Sequence, residues 1–406
     1  MQIYQVGGAV RDELLGIEVK DRDWVVVGST PEEMIALGYK AVGKEFPVFI
    51  HPDSGEEYAL ARTERKAGTG YKGFVFNTSN KITLEQDLQR RDITINAIAR
   101  DENGDLMDPF NGRKDLEKKI IRHVSAAFVE DPLRVLRVAR FDAQFNFPIA
   151  GETQTLLKEI SAANELETLT PERIWLETEK ALQTSQPWRY FEVLRDCNAL
   201  VTLFPEIDRL FGVPQPERYH PEIDCGVHTL MVLEQAAKLT ADTQVRFAAL
   251  VHDLGKATTP QEIWPSHHGH GERGVELIDK LCGRLRIPNK HRELATLVAR
   301  YHLHCHRIEE MSPTVILGKL EGLDAFRRPE RFDQFLLACE ADARGRKGKE
   351  QINYPQAELF RRYRAACLSV NIKSAEAQGL KGTQIAEHIR VQRIAAIRQV
   401  KAQEVV

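Results

Sequence analysis

The chain has 406 residues, and its 56 lysines and arginines against 59 aspartates and glutamates give a formal net charge of −3. This length predicts two to four domains, each able to bury a core of its own. The balanced charge excludes a uniformly basic protein, so contact with nucleic acid must rest on local basic patches. Six cysteines without a Cys-X-X-Cys pair and the lack of a long apolar run predict a reduced, cytoplasmic protein without a membrane-spanning segment.

The first predicted element is a short strand over residues 3–6, which runs into the glycine pair Gly7 and Gly8 and then into helix-forming residues. Glycine lets backbone N–H groups approach a phosphate closely, and the N-terminus of a helix favours negative charge. Gly8 and Arg11 are therefore candidates for holding a triphosphate. A lone glycine pair is nevertheless more often plain turn chemistry.

Two aspartates, Asp21 and Asp23, lead into an apolar run that predicts a strand over residues 23–28. Residues i and i+2 of a strand point to the same face, so the two carboxylates lie side by side. Such a pair suits Mg²⁺, which takes oxygen ligands and can activate a hydroxyl and stabilise a leaving pyrophosphate. By itself, Asp-X-Asp more often opens a turn. Strands are also predicted near 46–51 and 56–62, where Glu57 is either a third carboxylate or an exposed charge on an edge strand.

Two arginine-rich clusters follow downstream. In Arg90-Arg91-Asp92, Arg91 could neutralise phosphate charge, while Asp92 could cap a helical turn. The second cluster begins at Glu130-Asp131-Pro132, where the proline suits the first turn of a helix. A polar stripe on this helix recurs every three residues and is by itself typical of a solvated face. It consists of Asp131, Arg134, Arg137 and Arg140.

These motifs, in this order, resemble those of the class II tRNA nucleotidyltransferases, the family of the bacterial CCA-adding enzymes and the related poly(A) polymerases. Residues 7–23 resemble the nucleotidyltransferase motif of that family, residues 90–92 its ribose-selecting motif, and residues 130–134 its nucleotide-template motif. The Asp-Pro-Phe-Asn-Gly run within residues 108–116 resembles a further family signature. The resemblance is close from residue 1 to about residue 145.

The resemblance implies that Asp131 and Arg134 read the base of the incoming nucleotide. Cytosine and adenine both present an amino donor beside a ring-nitrogen acceptor, whereas uracil and guanine present a carbonyl beside a ring N–H. A carboxylate that accepts and a guanidinium that donates therefore fit C and A and reject U and G. The implied reaction is attack of the 3′-hydroxyl of a tRNA on the α-phosphate of CTP or ATP, with release of pyrophosphate. Asp21 and Asp23 would hold Mg²⁺, and three side chains would surround ribose and phosphates: Arg91, Arg137 and Arg140.

Residues 65–74 are rich in glycine and basic side chains and predict a mobile loop. This segment resembles the flexible loop of relatives that add the terminal A, although an ordinary hairpin connection is equally consistent. Three basic patches are candidates for binding tRNA. They are Arg65, Lys66 and Lys72; Arg113, Lys114, Lys118 and Lys119; and Arg344, Arg346, Lys347 and Lys349.

The C-terminal half contains His228, the adjacent pair His252-Asp253 and, downstream, Asp342, all on segments with helical periodicity. This ordered set resembles the HD-domain phosphohydrolases and implies a transition metal such as Ni²⁺, Co²⁺ or Mn²⁺ that generates hydroxide near neutral pH. The implied activities are hydrolysis of 2′,3′-cyclic phosphates, 2′-phosphates and other phosphomonoesters, and the alternative is an inert helical domain. Six histidines stay outside the predicted ligand set: His267, His268, His270, His302, His304 and His306.

The sequence thus predicts a multidomain chain. A mixed α/β nucleotidyltransferase head of the polymerase-β type spans residues 1–140, and an all-α neck and body spans 141–211. An all-α HD domain, entered through a linker at 212–216, spans 212–345, and a helical tail spans 346–406. Two alternative functions stay open: a poly(A) polymerase, and an HD phosphohydrolase whose inactive head only binds tRNA. We expect a monomer or a homodimer.

Overall fold

The computed structural model describes residues 1–19, 21–43, 48–66, 74–77, 79–371 and 380–403, and the side chains of all of these except 64–66 and 74–77. Most of the predicted basic loop lies outside the described residues. Two compact units are present: Met1–Ala181 with Arg189–Leu203, and Leu182–Trp188 with Phe204–Val406. The boundaries of the four predicted domains stay predictions.

The first unit contains a mixed sheet that has seven strands in the described part of the chain, in the order β3-β4-β5-β2-β1-β8-β9, and a separate β6-β7 pair. Only β2 and β5 run parallel. The four predicted strands are confirmed as β1, β2, β4 and β5, whereas the short strand β3 was missed because all of its residues are exposed. The strands are β1 (Gln2–Val6), β2 (Asp23–Val27), β3 (Lys40–Val42), β4 (Val48–Ile50), β5 (Glu57–Leu60), β6 (Thr63–Lys66), β7 (Phe74–Asn77), β8 (Ala99–Arg100) and β9 (Leu106–Met107).

Alternation along β2 sends its side chains into two different cores. Val25 packs in a cluster that includes Tyr4 and Val6, and Val26 packs in a second cluster on the opposite face. Asp23 is the first residue of β2 and lies on the same face as Val25. Its carboxylate is exposed, whereas Val25 and Val26 are buried. The sheet therefore presents this carboxylate from a rigid, doubly packed strand.

The helices of the first unit connect and cover this sheet, and two of them begin with a reciprocal capping box. Thr30 pairs with Glu33 at the start of α2, and Thr83 pairs with Gln86 at the start of α3, which satisfies N–H groups that a helix leaves unpaired. The helices are α1 (Gly8–Leu14), α2 (Pro31–Ala36), α3 (Leu84–Gln89), α4 (Gly112–Lys118), α5 (Leu133–Phe145), α6 (Gly151–Ala162), α7 (Pro171–Leu182), α8 (Pro187–Asp196) and α9 (Leu200–Leu203).

In its described residues, the second unit has helices as its regular secondary structure, as predicted, apart from one isolated β-bridge. Small side chains let α11, α12 and α16 pack closely, with Val232, Ala236, Ala249 and Ala341 in one buried cluster. None of the described helices has the length and hydropathy needed to cross a membrane. The helices are α10 (Pro205–Asp208), α11 (Cys225–Leu239), α12 (Thr243–Val251), α13 (His270–Leu285), α14 (Asn289–His306), α15 (Pro313–Gly322), α16 (Pro329–Arg344), α17 (Pro355–Leu368) and α18 (Thr383–Gln403).

The segment predicted as a linker, residues 212–216, is a packed part of the second unit. The Gln215 N–H donates to the Ile223 carbonyl oxygen at 2.8 Å, and the Gln215 side chain is buried. Pro214 also forms a β-bridge with Asp224. The linker prediction is wrong because glycine and proline mark a turn in the chain without showing what packs against it.

Gly112 tests the packing of the head. A Cβ there would collide with the Thr94 carbonyl oxygen and lie 2.8 Å from Ile98 Cγ1. We expect Gly112→Ala to lower the free energy of unfolding by about 1–3 kcal/mol, since overpacking forces backbone shifts. Urea unfolding, with hydrogen exchange to assign the transition to the head, measures this. The matched control is Gly151→Ala, which meets open space; an equal loss in both variants would contradict the packing argument.

Candidate active sites

The predicted strand, glycine turn and helix are confirmed, and the turn at Gly7 brings together two candidate residues, Arg91 and Asp23. Gly7 has φ +74°, and a Cβ at this position would lie 2.9 Å from Arg91 Nη1 and 4.0 Å from Asp23 Oδ2. Glycine is required here both by the left-handed backbone and by the close guanidinium. A turn at the start of α1, a cation and a carboxylate thus meet at one end of β1 and β2.

Asp21 and Asp23 are both exposed to solvent in the described structure. Their oxygen donors and open surroundings fit a hard cation that keeps several of its waters, as Mg²⁺ does. Glu57 is the register partner of Asp23 on the neighbouring strand β5, but the three carboxylates are not among the described groups whose ligand atoms lie within 4.8 Å of one another. Glu57 is exposed, as one alternative expected, but β5 is not an edge strand, because β4 and β2 flank it. A role for Glu57 as a third carboxylate stays a prediction.

The guanidinium group of Arg91 forms an ion pair with Asp87, a residue that the sequence did not single out. The Arg91 Nη2 atom lies 3.4 Å from Asp87 Oδ2, and the Arg90 Nη2 atom lies 2.7 Å from Asp87 Oδ1. Burial raises the pKa of Asp87, but the two guanidinium groups outweigh it and hold the pKa below its usual range. Aspartate three and four residues before arginines in a helical segment was the available signal.

Asp92 does not cap a helical turn, contrary to the role considered for it. The short 3₁₀ turn Thr94–Asn96 has no side-chain cap. Asp92 Oδ2 accepts from Arg137 Nε at 2.7 Å, and Oδ1 accepts from the Ile93 N–H at 2.9 Å and from Asn96 Nδ2 at 3.1 Å. The Asp92 side chain is almost wholly buried, and these bonds satisfy both of its oxygens.

Three of the predicted phosphate-binding arginines converge on one aromatic ring. The Cζ atoms of Arg11 and Arg137 each lie 5.5 Å from the Phe141 ring centroid, and that of Arg140 lies 4.2 Å from it. Cations over a ring face at these distances are attracted by its quadrupole. Glu177, which the sequence analysis missed, accepts from Arg140 Nε at 2.6 Å. Paired carboxylates therefore hold these guanidinium groups in fixed orientations.

Arg11 faces into the protein in this arrangement. Its guanidinium donates to Asp12 Oδ1 at 2.8 Å and to Asn96 Oδ1, and burial lowers the pKa of Arg11. A Cβ at Gly8 would lie 3.4 Å from Arg11 Nη2, so Gly8 leaves room for this side chain. Contact of Gly8 and Arg11 with a triphosphate stays a prediction.

The stripe on α5 is not a solvated face, because the first unit covers most of it. Arg134 is 7% exposed and donates to the carbonyl oxygens of Ala127 and Arg90. Asp131 lies 3.2 Å from Arg173 Nη2, another residue that the sequence analysis missed. Both side chains have capacity beyond these bonds, since a guanidinium carries five N–H donors and a carboxylate about four acceptor positions.

The second unit brings the four predicted HD-domain ligands together. His228 Nε2 lies 3.2 Å from Asp342 Oδ1, and His252 Nε2 lies 3.1 Å from Asp253 Oδ2 and 3.6 Å from Asp342 Oδ1. All four side chains are buried. The buried His252 Nε2 has no hydrogen-bond partner among the described residues. An inward-facing nitrogen of this kind, next to carboxylates, fits a transition-metal ion.

The orientation of the rings supports the same conclusion. His252 Nδ1 lies 2.8 Å from the Ala249 carbonyl oxygen, which leaves Nε2 for a ligand, as in most metal-bound histidines. Burial lowers the pKa of His228, but the carboxylates of Asp342 and Glu222 outweigh it and raise the pKa to about 9. Histidine ligates a metal only in its neutral form, so a metal ion that bound here would displace the His228 proton.

Lys256 is a further side chain at this centre that the sequence analysis missed. Its ammonium lies 2.6 Å from Asp253 Oδ2 and 2.8 Å from Gln215 Oε1. His306 Nε2 lies 2.7 Å from Asp342 Oδ2. Of the six histidines left outside the predicted set, His270 and His302 join the described clusters of potential metal ligands.

The fold and the two sites define a class: a nucleotidyltransferase head followed by a helical HD domain. Three family models match in this order. The model described as the poly A polymerase head domain matches residues 3–122. The model of the probable RNA and SrmB-binding site of polymerase A matches residues 146–211, and the HD domain model matches residues 226–334.

The chain belongs to the family of the multifunctional CCA proteins. A protein of that name from Thioalkalivibrio sulfidiphilus is 59% identical over 406 residues, which cover 99% of both chains. Another from Nitrosococcus oceani is 59% identical over 399 residues, which cover 98% of both. The resemblance that the motifs indicated is thereby confirmed.

Solved structures confirm the fold. A CCA-adding enzyme in its apo form II has a TM-score of 0.66 at 21% identity, over 100% of this chain and 91% of that one. A CCA-adding enzyme with CTP has a TM-score of 0.65 at 21% identity, over 98% and 87%. The Thermotoga maritima CCA-adding enzyme complexed with tRNA has a TM-score of 0.65 at 19% identity, over 99% and 91%.

A substitution at Asp87 tests how much its ion pairs with Arg90 and Arg91 stabilise the head. We expect Asp87→Asn to destabilise the head by about 3 kcal/mol, because two arginines lose their buried counter-charge. The pKa of Asp87 in the folded protein lies below the usual aspartate value of about 3.9, so the carboxylate's contribution to stability is fully present above that pH and declines as the pH falls further. Urea unfolding at neutral pH and near pH 3 measures the difference.

The matched control for this prediction is Asp105→Asn, since Asp105 is exposed. We expect little change from it at either pH. A gap between wild type and Asp87→Asn that stays constant down to pH 3 would mean that the charge of Asp87 is not what stabilises the head.

Proposed function

We propose that the head adds C and A to the 3′ end of tRNA from CTP and ATP, without a nucleic-acid template, and so completes the CCA end. The observation that carries this proposal is the convergence of Arg11, Arg137 and Arg140 on Phe141. Guanidinium groups held in fixed orientations suit a triphosphate. The 59% identical relatives named multifunctional CCA protein support the same activity.

The carboxylates of Asp21 and Asp23 would hold Mg²⁺ in this proposal. Mg²⁺ would favour deprotonation of the attacking 3′-hydroxyl and stabilise the leaving pyrophosphate. The chain's own part is to bind and orient the nucleotide, which supplies most of the acceleration in phosphoryl-type transfer. Arg91, next to Asp23 at the glycine turn, and Arg137 would neutralise phosphate and ribose-side charge.

Selection of C and A would fall to Asp131 and Arg134 at the start of α5. Arg173 holds the Asp131 carboxylate at 3.2 Å, and the carbonyl bonds of Arg134 fix the plane of its guanidinium. A fixed acceptor beside a fixed donor rejects U and G, and sites built on such hydrogen bonds discriminate by roughly 10⁴-fold. Because the side chains replace a template, they have to be rigid before the nucleotide arrives.

Contact with tRNA would use exposed basic side chains. The patch on and beside α4, consisting of Arg113, Lys114, Lys118 and Lys119, is exposed throughout. Its charge can neutralise backbone phosphates without reading sequence. This agrees with an enzyme that accepts many different tRNAs.

We further propose that the HD domain is a metal-dependent phosphohydrolase for 2′,3′-cyclic phosphates, 2′-phosphates and other phosphomonoesters. His228, His252, Asp253 and Asp342 would hold Ni²⁺, Co²⁺ or Mn²⁺, which supplies hydroxide near neutral pH. The buried His252 Nε2, which has no hydrogen-bond partner within the described ranges, argues against an inert helical domain, because an unsatisfied buried polar atom destabilises a fold that gains nothing from it. The HD domain also argues against a simple poly(A) polymerase.

Separate variants of the two sites test the proposal. We expect the wild-type chain to add three nucleotides, ending in A, to tRNA lacking its CCA end, and to hydrolyse 2′,3′-cyclic AMP with Ni²⁺. Asp23→Asn should lower incorporation at least about 10³-fold, since it removes a metal-ligating charge, and leave hydrolysis intact. Asp253→Asn should do the reverse. Labelled CTP and ATP, with products resolved at single-nucleotide length, measure the first activity, and phosphate release measures the second.

The contradicting outcomes are distinct. Long A-tails from the wild-type chain would assign the head to the poly(A) polymerases. No extension, with hydrolysis retained, would leave a phosphohydrolase with an inactive head. Loss of both activities in either variant alone would mean that the two sites are not independent.

A further inference from the structure

The buried ligand cluster of the HD domain meets solvent beside two partly exposed histidines, His220 and His306. The ring centroid of His220 lies 4.6 Å from that of His228, and His306 Nε2 lies 2.7 Å from Asp342 Oδ2. His228 and Asp342 are buried, whereas the side chains of His220 and His306 are 18% and 23% exposed. These two histidines therefore mark an opening from the cluster to solvent.

The sequence neighbours of both histidines stand together at this opening. Tyr219 precedes His220 and is 55% exposed, and Arg307 follows His306 with a side chain that is 70% exposed. The two side chains are close enough to interact, because the Glu310 carboxylate and, after it, the Tyr219 phenol raise the pKa of Arg307. An exposed aromatic ring and an exposed cation thus share one side of the opening.

A second cation lies against the same ring. Arg218 is exposed, and its Cζ atom lies 5.6 Å from the Tyr219 ring centroid. A single exposed tyrosine is ordinary on a protein surface. An aromatic ring between two guanidinium groups, beside a candidate phosphate site, is instead the combination that binds single-stranded RNA, because bases stack on the ring and the cations neutralise phosphates.

The turn that carries this ring is fixed to the ligand cluster at both of its ends. On one side, the Lys256 ammonium lies 2.8 Å from Gln215 Oε1 and 2.6 Å from Asp253 Oδ2. On the other side, Glu222 Oε1 lies 2.9 Å from His228 Nδ1. The ring is therefore held near the ligands before a substrate arrives, so that binding costs little entropy to order it.

The shape of a nucleotide matches this arrangement. The base and the 2′-oxygen belong to one ribose, so a ring that stacks on the base has to stand beside the phosphate site and not within it. Tyr219 meets this condition, because the adjacent His220 contacts His228 while Tyr219 itself is exposed. The 5′-oxygen leaves the ribose away from its 2′,3′ edge, towards the exposed guanidinium groups.

We propose that Tyr219 stacks on the base of the nucleotide whose 2′,3′-cyclic phosphate or 2′-phosphate lies at the ligand cluster. Arg218 and Arg307 bind the phosphate on the 5′ side of that nucleotide. The preferred substrate is then the 3′-terminal nucleotide of an RNA, and not any phosphomonoester. Since every base has a face on which to stack, this subsite accepts all bases. The inference rests on the proposed phosphohydrolase function.

Two cyclic phosphates test the stacking, with the full chain and Ni²⁺. One is 2′,3′-cyclic GMP, whose base the head is proposed to reject, and the other is glycerol 1,2-cyclic phosphate, which has the same reactive ring without a base. We expect Tyr219→Ala to raise KM for 2′,3′-cyclic GMP about 10-fold, the size of a base–aromatic stack. Its kcat, and both constants for the glycerol compound, should stay unchanged. Tyr219→Phe, which keeps the ring, should behave like the wild-type chain.

The matched control is Val391→Ala on α18, since Val391 is 53% exposed. We expect it to leave KM unchanged for both compounds. A second readout does not depend on rates. The 2′,3′-cyclic phosphate of 4-thiouridine, irradiated with the Ni²⁺-loaded chain and mapped by mass spectrometry, should attach within residues 218–220. Attachment elsewhere, or none in a chain that hydrolyses the compound, would contradict the stacking.

A dinucleotide that ends in a 2′,3′-cyclic phosphate separates an RNA end from a free nucleotide. We expect the wild-type chain to have a lower KM for guanylyl-guanosine 2′,3′-cyclic phosphate than for 2′,3′-cyclic GMP. The double variant with Arg218→Gln and Arg307→Gln should raise KM for the dinucleotide about 10-fold, since it loses charged hydrogen bonds to the internal phosphate. It should leave KM for 2′,3′-cyclic GMP unchanged, because that compound lacks this phosphate.

Each contrary outcome overturns a different statement. No hydrolysis of any of these compounds by the wild-type chain would overturn the proposed phosphohydrolase and this inference with it. Hydrolysis of 2′,3′-cyclic GMP with the same KM before and after Tyr219→Ala would overturn the stacking alone. An equal loss on both cyclic phosphates would mean that Tyr219 supports the ligand cluster instead. Equal KM values for 2′,3′-cyclic GMP and the dinucleotide in every variant would overturn the RNA end and leave a free nucleotide as the substrate.

Discussion

One buried carboxylate, that of Asp92, holds the nucleotide side of the head together. It is 6% exposed, yet its charge is matched by Arg137 at 2.7 Å, contributed by a helix 45 positions further along the chain. Removing one partner of a buried ion pair leaves an uncompensated charge, which is strongly destabilising. The Asp92–Arg137 pair is part of a larger network of hydrogen bonds and ion pairs. Its members, in order, are Arg11, Asn96, Asp92, Arg137, Glu177 and Arg140.

This chain of paired donors and acceptors explains how protein side chains could act as a template. A reader made of arginine and aspartate discriminates only if its donors and acceptors are fixed before the base arrives. Asp92 and Glu177 orient Arg137 and Arg140, while Arg173 fixes Asp131 in the same way. The metal sites proposed for the head and for the HD domain differ in their ligands, because buried imidazoles and carboxylates favour transition metals, whereas open carboxylates favour Mg²⁺.

The sequence predicted the order of the motifs, the first strand and glycine turn, and the four candidate HD-domain ligands that the structure brings together, because each depends on local pattern or on the family resemblance. It did not predict that the polar stripe on α5 is largely covered by other segments of the first unit. Helical periodicity shows which residues share a face, but not which distant segment covers that face. Glu177 and Arg173, which cover it, are more than 35 positions away. The idea that Glu57 lies on an edge strand failed for a similar reason. Two further strands, β4 and β3, lie beyond β5 in the sheet, and β3 has no buried residue that would reveal it in the sequence.

The most direct test of this account is a double-mutant cycle between Asp92 and Arg137. The variants Asp92→Asn, Arg137→Gln and the double variant are compared in the free energy of unfolding and in kcat/KM for CTP incorporation. The account predicts a coupling of about 1–3 kcal/mol in both quantities, since each side chain acts through the other. Additive effects would show that the two residues act independently and that no shared charge network orients the nucleotide site.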